Sequence, residues 1–333
     1  MSKINRKYKV VITDYDFESL QEIKKALEKV DAELVTAQCK SESEVIELAR
    51  EADAVINQYY NPLSRKVIEH LKRCKVIVRT GIGVDTIDVQ AATDHNICVV
   101  NVPAYCLDEV AEHALGLLFM LARKYFVLTN SVKKGQWNWR IVKPIFKMKG
   151  QILGIVGLGK IGRSLAKKAK GLGMSLICYD PYIDSQMAEE AGVKLLSFEN
   201  LLKKSDFISI HVPLTEETRG MFGEKEFKKM KKGSCIINTS RGPVIESKAL
   251  YKALKEEWLA GAGLDVMEKE PPDSKESLFS LENVILTPHC AWYSQESVVK
   301  LKTIVGEEVA RVLSKKRPLS LVNPEVLKKI SLN

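Results

Sequence analysis

The sequence has no apolar run long enough to cross a bilayer. Its longest, Ala114 to Ala122, has nine residues, and a spanning helix needs about twenty. It also lacks the profile of a secretory leader. Lys3 to Lys9 is basic, but only Val10-Val11-Ile12 follows before Asp14 and Asp16. The seven cysteines are odd in number and form no C-x-x-C pair. A disulfide framework and a metal site are therefore not expected, and the cytoplasm is the expected compartment. Cys98, Cys178 and Cys235 lie in strand-like apolar runs, where cysteine acts as a small hydrophobe. A basic arm is missing as well. Lys and Arg number 51 against 42 Asp and Glu, a formal net charge of +9. The lysines are scattered in small clusters such as Lys24-Lys25, Lys167-Lys168 and Lys203-Lys204. They read as solvated helix faces, so neither nucleic acid nor membrane is an expected partner.

What is present is an ordinary globular composition, 45% hydrophobic and 28% charged over 333 residues. At about 150 residues per domain, two domains are expected. Short apolar runs alternate with helix-like segments. Val10 to Thr13, Leu34 to Ala37, Ala54 to Asn57, Val76 to Arg79 and Cys98 to Asn101 read as strands. Glu18 to Lys29, Ser43 to Arg50, Ser64 to Leu71 and Asp88 to His95 read as the helices between them. Strict alternation predicts an α/β class with parallel sheets and crossover helices. Asp108 to Arg123 is helix-like and apolar on nearly every side. Such a helix is expected to be buried, in a core or a subunit interface. After a loop around Trp137-Asn138-Trp139-Arg140 the rhythm resumes. Its strands are Ile152 to Val156, Ser175 to Tyr179, Phe207 to His211, Cys235 to Asn238, Ala260 to Leu264 and Val284 to Leu286. A last helix is expected from Ser294 to Ser314.

Within that rhythm, Gly157-Leu158-Gly159-Lys160-Ile161-Gly162 stands between an apolar strand and a helix-like segment. That setting gives the G-x-G-x-x-G pattern its meaning. Gly157 permits a tight turn, Gly159 admits a pyrophosphate to the backbone, and Gly162 lets helix and strand pack closely. The helix start then offers free N–H groups to the phosphates. Asp180 ends the next strand, 18 residues beyond Gly162. It either binds the adenosine ribose hydroxyls and repels a 2′-phosphate, or caps a turn before Pro181. Arg241, Glu270 and His289 stand at or beyond strand ends, where an open parallel sheet places its crevice. Hydride transfer to or from an alcohol needs a base for the hydroxyl proton, a task for His289. A substrate carboxylate needs a cation, and Arg241 supplies one. Glu270 beside the histidine would favour imidazolium and fix the ring.

The chain resembles the D-isomer-specific 2-hydroxyacid dehydrogenases over nearly all its length. The matching segments occur in family order: Arg79-Thr80-Gly81-Ile82-Gly83-Val84-Asp85-Thr86-Ile87-Asp88, the glycine loop, and His211-Val212-Pro213-Leu214-Thr215. Then come Asn238-Thr239-Ser240-Arg241-Gly242, Gly263-Leu264-Asp265-Val266 with Glu270-Pro271-Pro272, and Thr287-Pro288-His289. The resemblance implies an NAD cofactor and a small 2-oxo or 2-hydroxy acid substrate. Glu270 and His289 would form the acid–base pair. Arg241 would orient the substrate, with Ile82 and Gly83 N–H groups holding its carboxylate. Asp265 would contact the nicotinamide carboxamide. Further cofactor contacts are implied at Lys160, Ile161, His211, Val212, Pro213, Thr218, Thr239, Arg241 and His289.

The resemblance also implies two doubly wound domains. A flavodoxin-like substrate domain would span 1–102 and 293–333, and a Rossmann cofactor domain 103–292. Homodimers through the cofactor domain are expected. After His289 the sequence reads Cys290-Ala291-Trp292-Tyr293. That is more similar to hydroxypyruvate and glyoxylate reductases and to C-terminal-binding-protein corepressors than to phosphoglycerate dehydrogenases. Trp292 would give the substrate an apolar wall, which favours an unphosphorylated acid. Phosphoglycerate dehydrogenase is the alternative enzyme. An NADH-sensing corepressor is the alternative of a different class. It is expected to carry long flexible tails, and to need Arg241, Glu270 and His289 less.

Overall fold

The computed structural model describes residues 7–59 and 61–333, so most of the basic Lys3 to Lys9 stretch lies outside the described residues. The chain divides into two compact units: Met1–Tyr105 with Ser294–Asn333, and Cys106–Tyr293.

The first unit alternates strictly. β1 (Tyr8–Ile12), β2 (Ala32–Thr36), β3 (Ala54–Asn57), β4 (Val76–Arg79) and β5 (Cys98–Val100) alternate with α1 (Gln21–Glu28), α2 (Glu42–Ala49), α3 (Arg65–Glu69) and α4 (Val89–Asp94). The sheet order is β2-β1-β3-β4-β5, all parallel. This is the flavodoxin-like doubly wound order, whose strand order reverses between β1 and β3. β3 and β4 are buried at every position, as strands covered on both faces must be.

The second unit opens with α5 (Leu107–Ala122) and α6 (Tyr125–Lys133), joined through Lys124 in the left-handed region at φ 51°. β6 (Ile152–Val156), α7 (Lys160–Lys170), β7 (Ser175–Tyr179), α8 (Ser185–Glu190), β8 (Lys194–Leu195), α9 (Phe198–Lys204) and β9 (Phe207–Ile210) follow. α10 (Glu224–Lys229), β10 (Ser234–Asn238), α11 (Ser247–Lys255), β11 (Leu259–Leu264) and β12 (Val284–Leu286) complete it. The seven parallel strands run β12-β11-β10-β9-β6-β7-β8. Read from β8, this is the Rossmann order with one further strand, and it reverses between β6 and β9. The chain then returns to the first unit as α12 (Gln295–Leu313), whose N-cap Ser294 accepts from the Ser297 N–H.

Within its own unit α5 is buried along one side. Val110, Ala111, Ala114, Leu117 and Leu118 face the core, while Gly116 is exposed and Phe119 and Met120 are half-buried. The apolar residues outnumber the positions that the unit's own core can cover. No single helix among the described residues is long and apolar enough to cross a membrane; α5 and α6 pass such a test only together, bent by 63°. The seven cysteines are all free. Burial pushes the thiols of Cys98 and Cys178 up to about 11 and that of Cys235 to about 12. Most of the lysine clusters lie on helices, with acidic partners such as Lys203–Glu199 and Lys228–Glu224.

Candidate active site

The glycine loop follows β6. Gly157 adopts φ +92°, and a Cβ there would lie 2.9 Å from the His211 carbonyl. A Cβ on Gly162 would come within 2.3 Å of the Gly157 oxygen, so only glycine lets α7 start this close to the loop. A Cβ on Gly159 would meet no atom within 4 Å, so the space above the loop is open. Gly159 is the N-cap of α7 and offers no side-chain acceptor. The first N–H groups of that helix, at Lys160, Ile161 and Gly162, therefore have no partner of the kind a capping side chain supplies. Lys160 itself is exposed and Ile161 half-buried.

Asp180 sits beside this loop. Its two carboxylate oxygens accept from the Leu158 N–H and the Tyr182 N–H, each at 2.9 Å. The carboxylate thus shapes both the glycine loop and the turn after Pro181, and each oxygen keeps a lone pair for a further donor. His211 lies on the other side of the loop. Its Nε2 is 2.8 Å from Ser209 Oγ, and burial pushes the imidazole down to about 4. Its buried Nδ1 has no partner among the described residues, and neither has the buried Thr239 hydroxyl. Val212 packs against the core. Pro213 is exposed and its carbonyl accepts from the Thr218 hydroxyl at 2.7 Å, so Thr218 braces its own loop. Open helix N–H groups, a ribose-height carboxylate and orphaned polar atoms fit a dinucleotide.

The chemistry-bearing residues gather at the ends of β10, β11 and β12. Buried Asn238 closes the first turn. Its Nδ2 donates to the Arg241 carbonyl at 2.9 Å, and its Oδ1 accepts from the Ser240 N–H and hydroxyl. Gly242 follows, and a Cβ there would lie 1.8 Å from the Met267 carbonyl. The Arg241 turn can therefore pack directly on the loop that carries Glu270. In that loop Glu270 Oε1 accepts from the Met267 N–H at 2.9 Å. Glu270 Oε2 accepts from His289 Nδ1 at 2.6 Å. Burial pushes the Glu270 carboxyl up, but His289, the Met267 N–H and the Arg241 charge outweigh it and hold the group below the usual carboxylate range.

His289 has φ +52°, a left-handed conformation rare for a residue with a side chain. Asp265, 1% exposed, holds it there. The His289 N–H donates to the Asp265 carbonyl at 2.7 Å. The Asp265 carboxylate accepts from the Cys290 N–H, the Ala291 N–H and the Thr287 hydroxyl, at 2.9, 2.8 and 2.6 Å. The Trp292 indole N–H donates to the His289 carbonyl at 2.9 Å, so it braces the same turn. Ile82 and Gly83 belong to the first unit, in the loop after β4 where Arg79 Nη1 donates to the Thr80 carbonyl.

Sequence reasoning missed Asn238 and His113. His113 Nε2 lies 2.9 Å from Thr287 Oγ1 and 3.6 Å from Asp265 Oδ1. The available signal was a polar side chain in an otherwise apolar helix or strand. His113, Asp265 and Cys290 also bring potential metal-ligand atoms within 4.8 Å of one another. The Asp265 oxygens, however, are already bonded to N–H and O–H donors that an ion would have to displace.

Residues 115–291 match the family model for the NAD binding domain of D-isomer specific 2-hydroxyacid dehydrogenases. The chain is 40% identical over 291 residues to a glyoxylate reductase of Korarchaeum cryptofilum, covering 86% of this chain and 88% of that one. It is 41% identical over 316 residues to a D-3-phosphoglycerate dehydrogenase of Methanocaldococcus jannaschii, covering 95% of this chain but 59% of the longer relative. Among solved structures it is similar to a glyoxylate reductase from Paecilomyes thermophila. There the TM-score is 0.87 at 29% identity, over 96% of this chain and 99% of that one.

Proposed function

The chain belongs to the D-isomer-specific 2-hydroxyacid dehydrogenases, NAD-dependent oxidoreductases, and on that premise we propose that it reduces a small unphosphorylated 2-oxo acid such as glyoxylate or hydroxypyruvate. The observation that carries the chemistry is the 2.6 Å contact between His289 and Glu270, with Arg241 close enough for its charge to act on Glu270. Bound NADH supplies the hydride. His289 delivers the proton to the substrate oxygen. Its Nδ1 is held by Glu270, so Nε2 is the ring atom assigned to that transfer. Glu270 stabilises the imidazolium before transfer and fixes the ring plane. Arg241 clamps the substrate carboxylate with a two-pronged guanidinium. Asp265 is given to the nicotinamide carboxamide, and its bonds to residues 287–291 tie that contact to the His289 turn. Ile82 and Gly83 are assigned an anion-binding part through their backbone N–H groups, argued from the first unit's loop alone.

The preference for an unphosphorylated acid rests on the likeness to glyoxylate reductases and on the apolar indole of Trp292 next to the His289 turn. A second reading, phosphoglycerate dehydrogenase, is favoured by the 41% identity over 316 residues. kcat/KM for hydroxypyruvate against 3-phosphohydroxypyruvate, with NADH, decides between them. A tenfold advantage for the phosphorylated acid overturns the first reading.

We also assign a homodimer through the second unit, and the cytoplasm as its compartment, where seven free thiols persist. Segment 125–146 exposes Tyr125, Phe126, Trp139, Phe146 and Trp137, the last at 89%. Five exposed aromatic side chains within one short segment support placing the interface there. Light scattering at micromolar concentration checks it, and a monomer mass overturns it.

A further inference from the structure

We infer that His113 is a positioning residue for the acid–base histidine, acting through Thr287. This rests on the proposed role of His289. The bonding order follows from what each group can donate. Thr287 has one hydroxyl hydrogen, and Asp265 Oδ1 at 2.6 Å takes it, because a carboxylate can only accept. The Thr287 oxygen is then left to accept, and His113 Nε2 at 2.9 Å is placed to donate to it, beside the Cys290 thiol that also interacts with Thr287. The His113 ring therefore carries a hydrogen on Nε2, and its tautomer is set.

The chain of bonds runs from α5 to the strained turn. His113 orients Thr287, and Thr287 orients the Asp265 carboxylate. That carboxylate also accepts the Cys290 and Ala291 N–H groups immediately after His289. His289 keeps φ +52° only while this support is in place. Losing the His113 donor removes the 2.9 Å bond to the Thr287 oxygen and loosens the hydroxyl's hold on Asp265. The His289 turn then relaxes toward ordinary backbone angles, and Nε2 leaves the position from which it delivers a proton. Small misplacements of that kind reduce the chemical step more than substrate binding.

The test compares His113→Leu, His113→Gln and Thr287→Val, with NADH and glyoxylate as probes. Gln places an N–H donor near the position of imidazole Nε2; Leu offers none. His113→Leu should lower kcat about fivefold to tenfold, the effect of one lost hydrogen bond. KM and NADH affinity should stay within about twofold. His113→Gln should restore most of kcat. The double variant His113→Leu/Thr287→Val should be no slower than Thr287→Val alone, because both break one chain of bonds. If His113→Leu does not fold, His113→Asn takes its place, being polar but too short to reach Thr287. A kcat unchanged in the Leu or Asn variant, a Gln variant as slow as either, or effects that multiply in the double variant would each overturn the inference. His289→Ala is assayed alongside. Normal turnover there overturns the acid–base reading itself, whereas a crippled His289→Ala beside an unaffected His113→Leu overturns only the role of His113.

Discussion

In the first unit the strand end at the sheet's reversal point is filled by the protein's own carboxylate. Buried Asp14, just past β1, accepts from the Gln58 N–H at 3.2 Å, the Tyr59 N–H at 2.6 Å and the Thr13 hydroxyl at 2.7 Å. Two helix starts in that unit are closed by side chains, while Leu20 before α1 and Ser64 before α3 make no such bond. Ser41 caps α2 and Asp88 caps α4, each accepting from a backbone N–H. At the corresponding reversal in the second unit, β6 runs into a glycine loop, and α7 begins with no capping side chain. Two sheets of one architecture therefore fill the space at the end of the reversal strand differently, with a buried carboxylate in one and a glycine loop in the other. Where the donors are satisfied internally, the strand end is a structural joint. Where they are left open, it is a place for an anionic ligand.

That contrast breaks most visibly if the second unit's strand ends are joints too. His289→Ala should lower turnover about 10²–10⁴-fold, the usual contribution of an acid–base group. The melting temperature and NADH affinity should barely move. Unchanged turnover with a lowered melting temperature would put His289 in the same class as Asp14.

The reverse experiment is Asp14→Ala. It strands two backbone donors in a buried setting, each costing about 1–3 kcal/mol. Urea unfolding should show a destabilisation of roughly 2–4 kcal/mol, with NADH affinity unchanged. A midpoint equal to wild type would remove Asp14 from its structural role.

Asp180 sharpens the comparison because it does both jobs. It accepts two loop N–H groups and is assigned the ribose hydroxyls. NADH should be preferred over NADPH by tenfold to more than a hundredfold, from about 1.5–3 kcal/mol for charge-assisted bonds and like-charge repulsion. Asp180→Asn should narrow the gap, as read from kcat/KM with each cofactor. Equal efficiency in wild type would leave Asp180 only its loop bonds.

The smallest effect concerns acid stability. Glu270 is held below the usual carboxylate range, so its pairing adds stability above the unfolded-state value and loses it as pH falls through the folded one. Both side chains of the pair are about one-third exposed, and such a pair is worth at most about 1 kcal/mol. Glu270→Gln should therefore melt slightly earlier at neutral pH and converge on wild type in acid. A melting difference that grows on acidification contradicts the sign of this assignment.

Much of this was readable before any coordinates, for physical reasons. β3, β4, β6, β7 and β12 span the residues that the sequence pattern assigns to strands, because a strand covered on both faces is apolar between its ends. Arg241, Glu270 and His289 stood out because strand-end chemistry follows the order of the chain. α6 did not, because its separation from α5 depends on one left-handed lysine, and Lys124 carries no turn signature. His113 and Thr287 meet across 174 positions, a pairing that no local spacing encodes. The apolar pattern of α5 reports how much surface needs cover, and not whether the unit's own core or a second subunit provides it.

The return of α12 to the first unit has a consequence for the chain as it is made. Its Lys302 ammonium, 6% exposed, lies 2.8 Å from Glu22 of α1 and also donates to the Ser19 carbonyl. The end of α12 lies nearly three hundred residues beyond the end of α1, so at about 5–20 residues per second roughly 15–60 seconds of synthesis pass before α1 meets its partner. During that time Ile23 and Ala26 of α1 lack the helix that finally packs Gly306 against them, while the continuous second unit can already fold. The first unit is thus begun first and finished last. A ribosome pause late in the message would prolong the chain's most aggregation-prone interval.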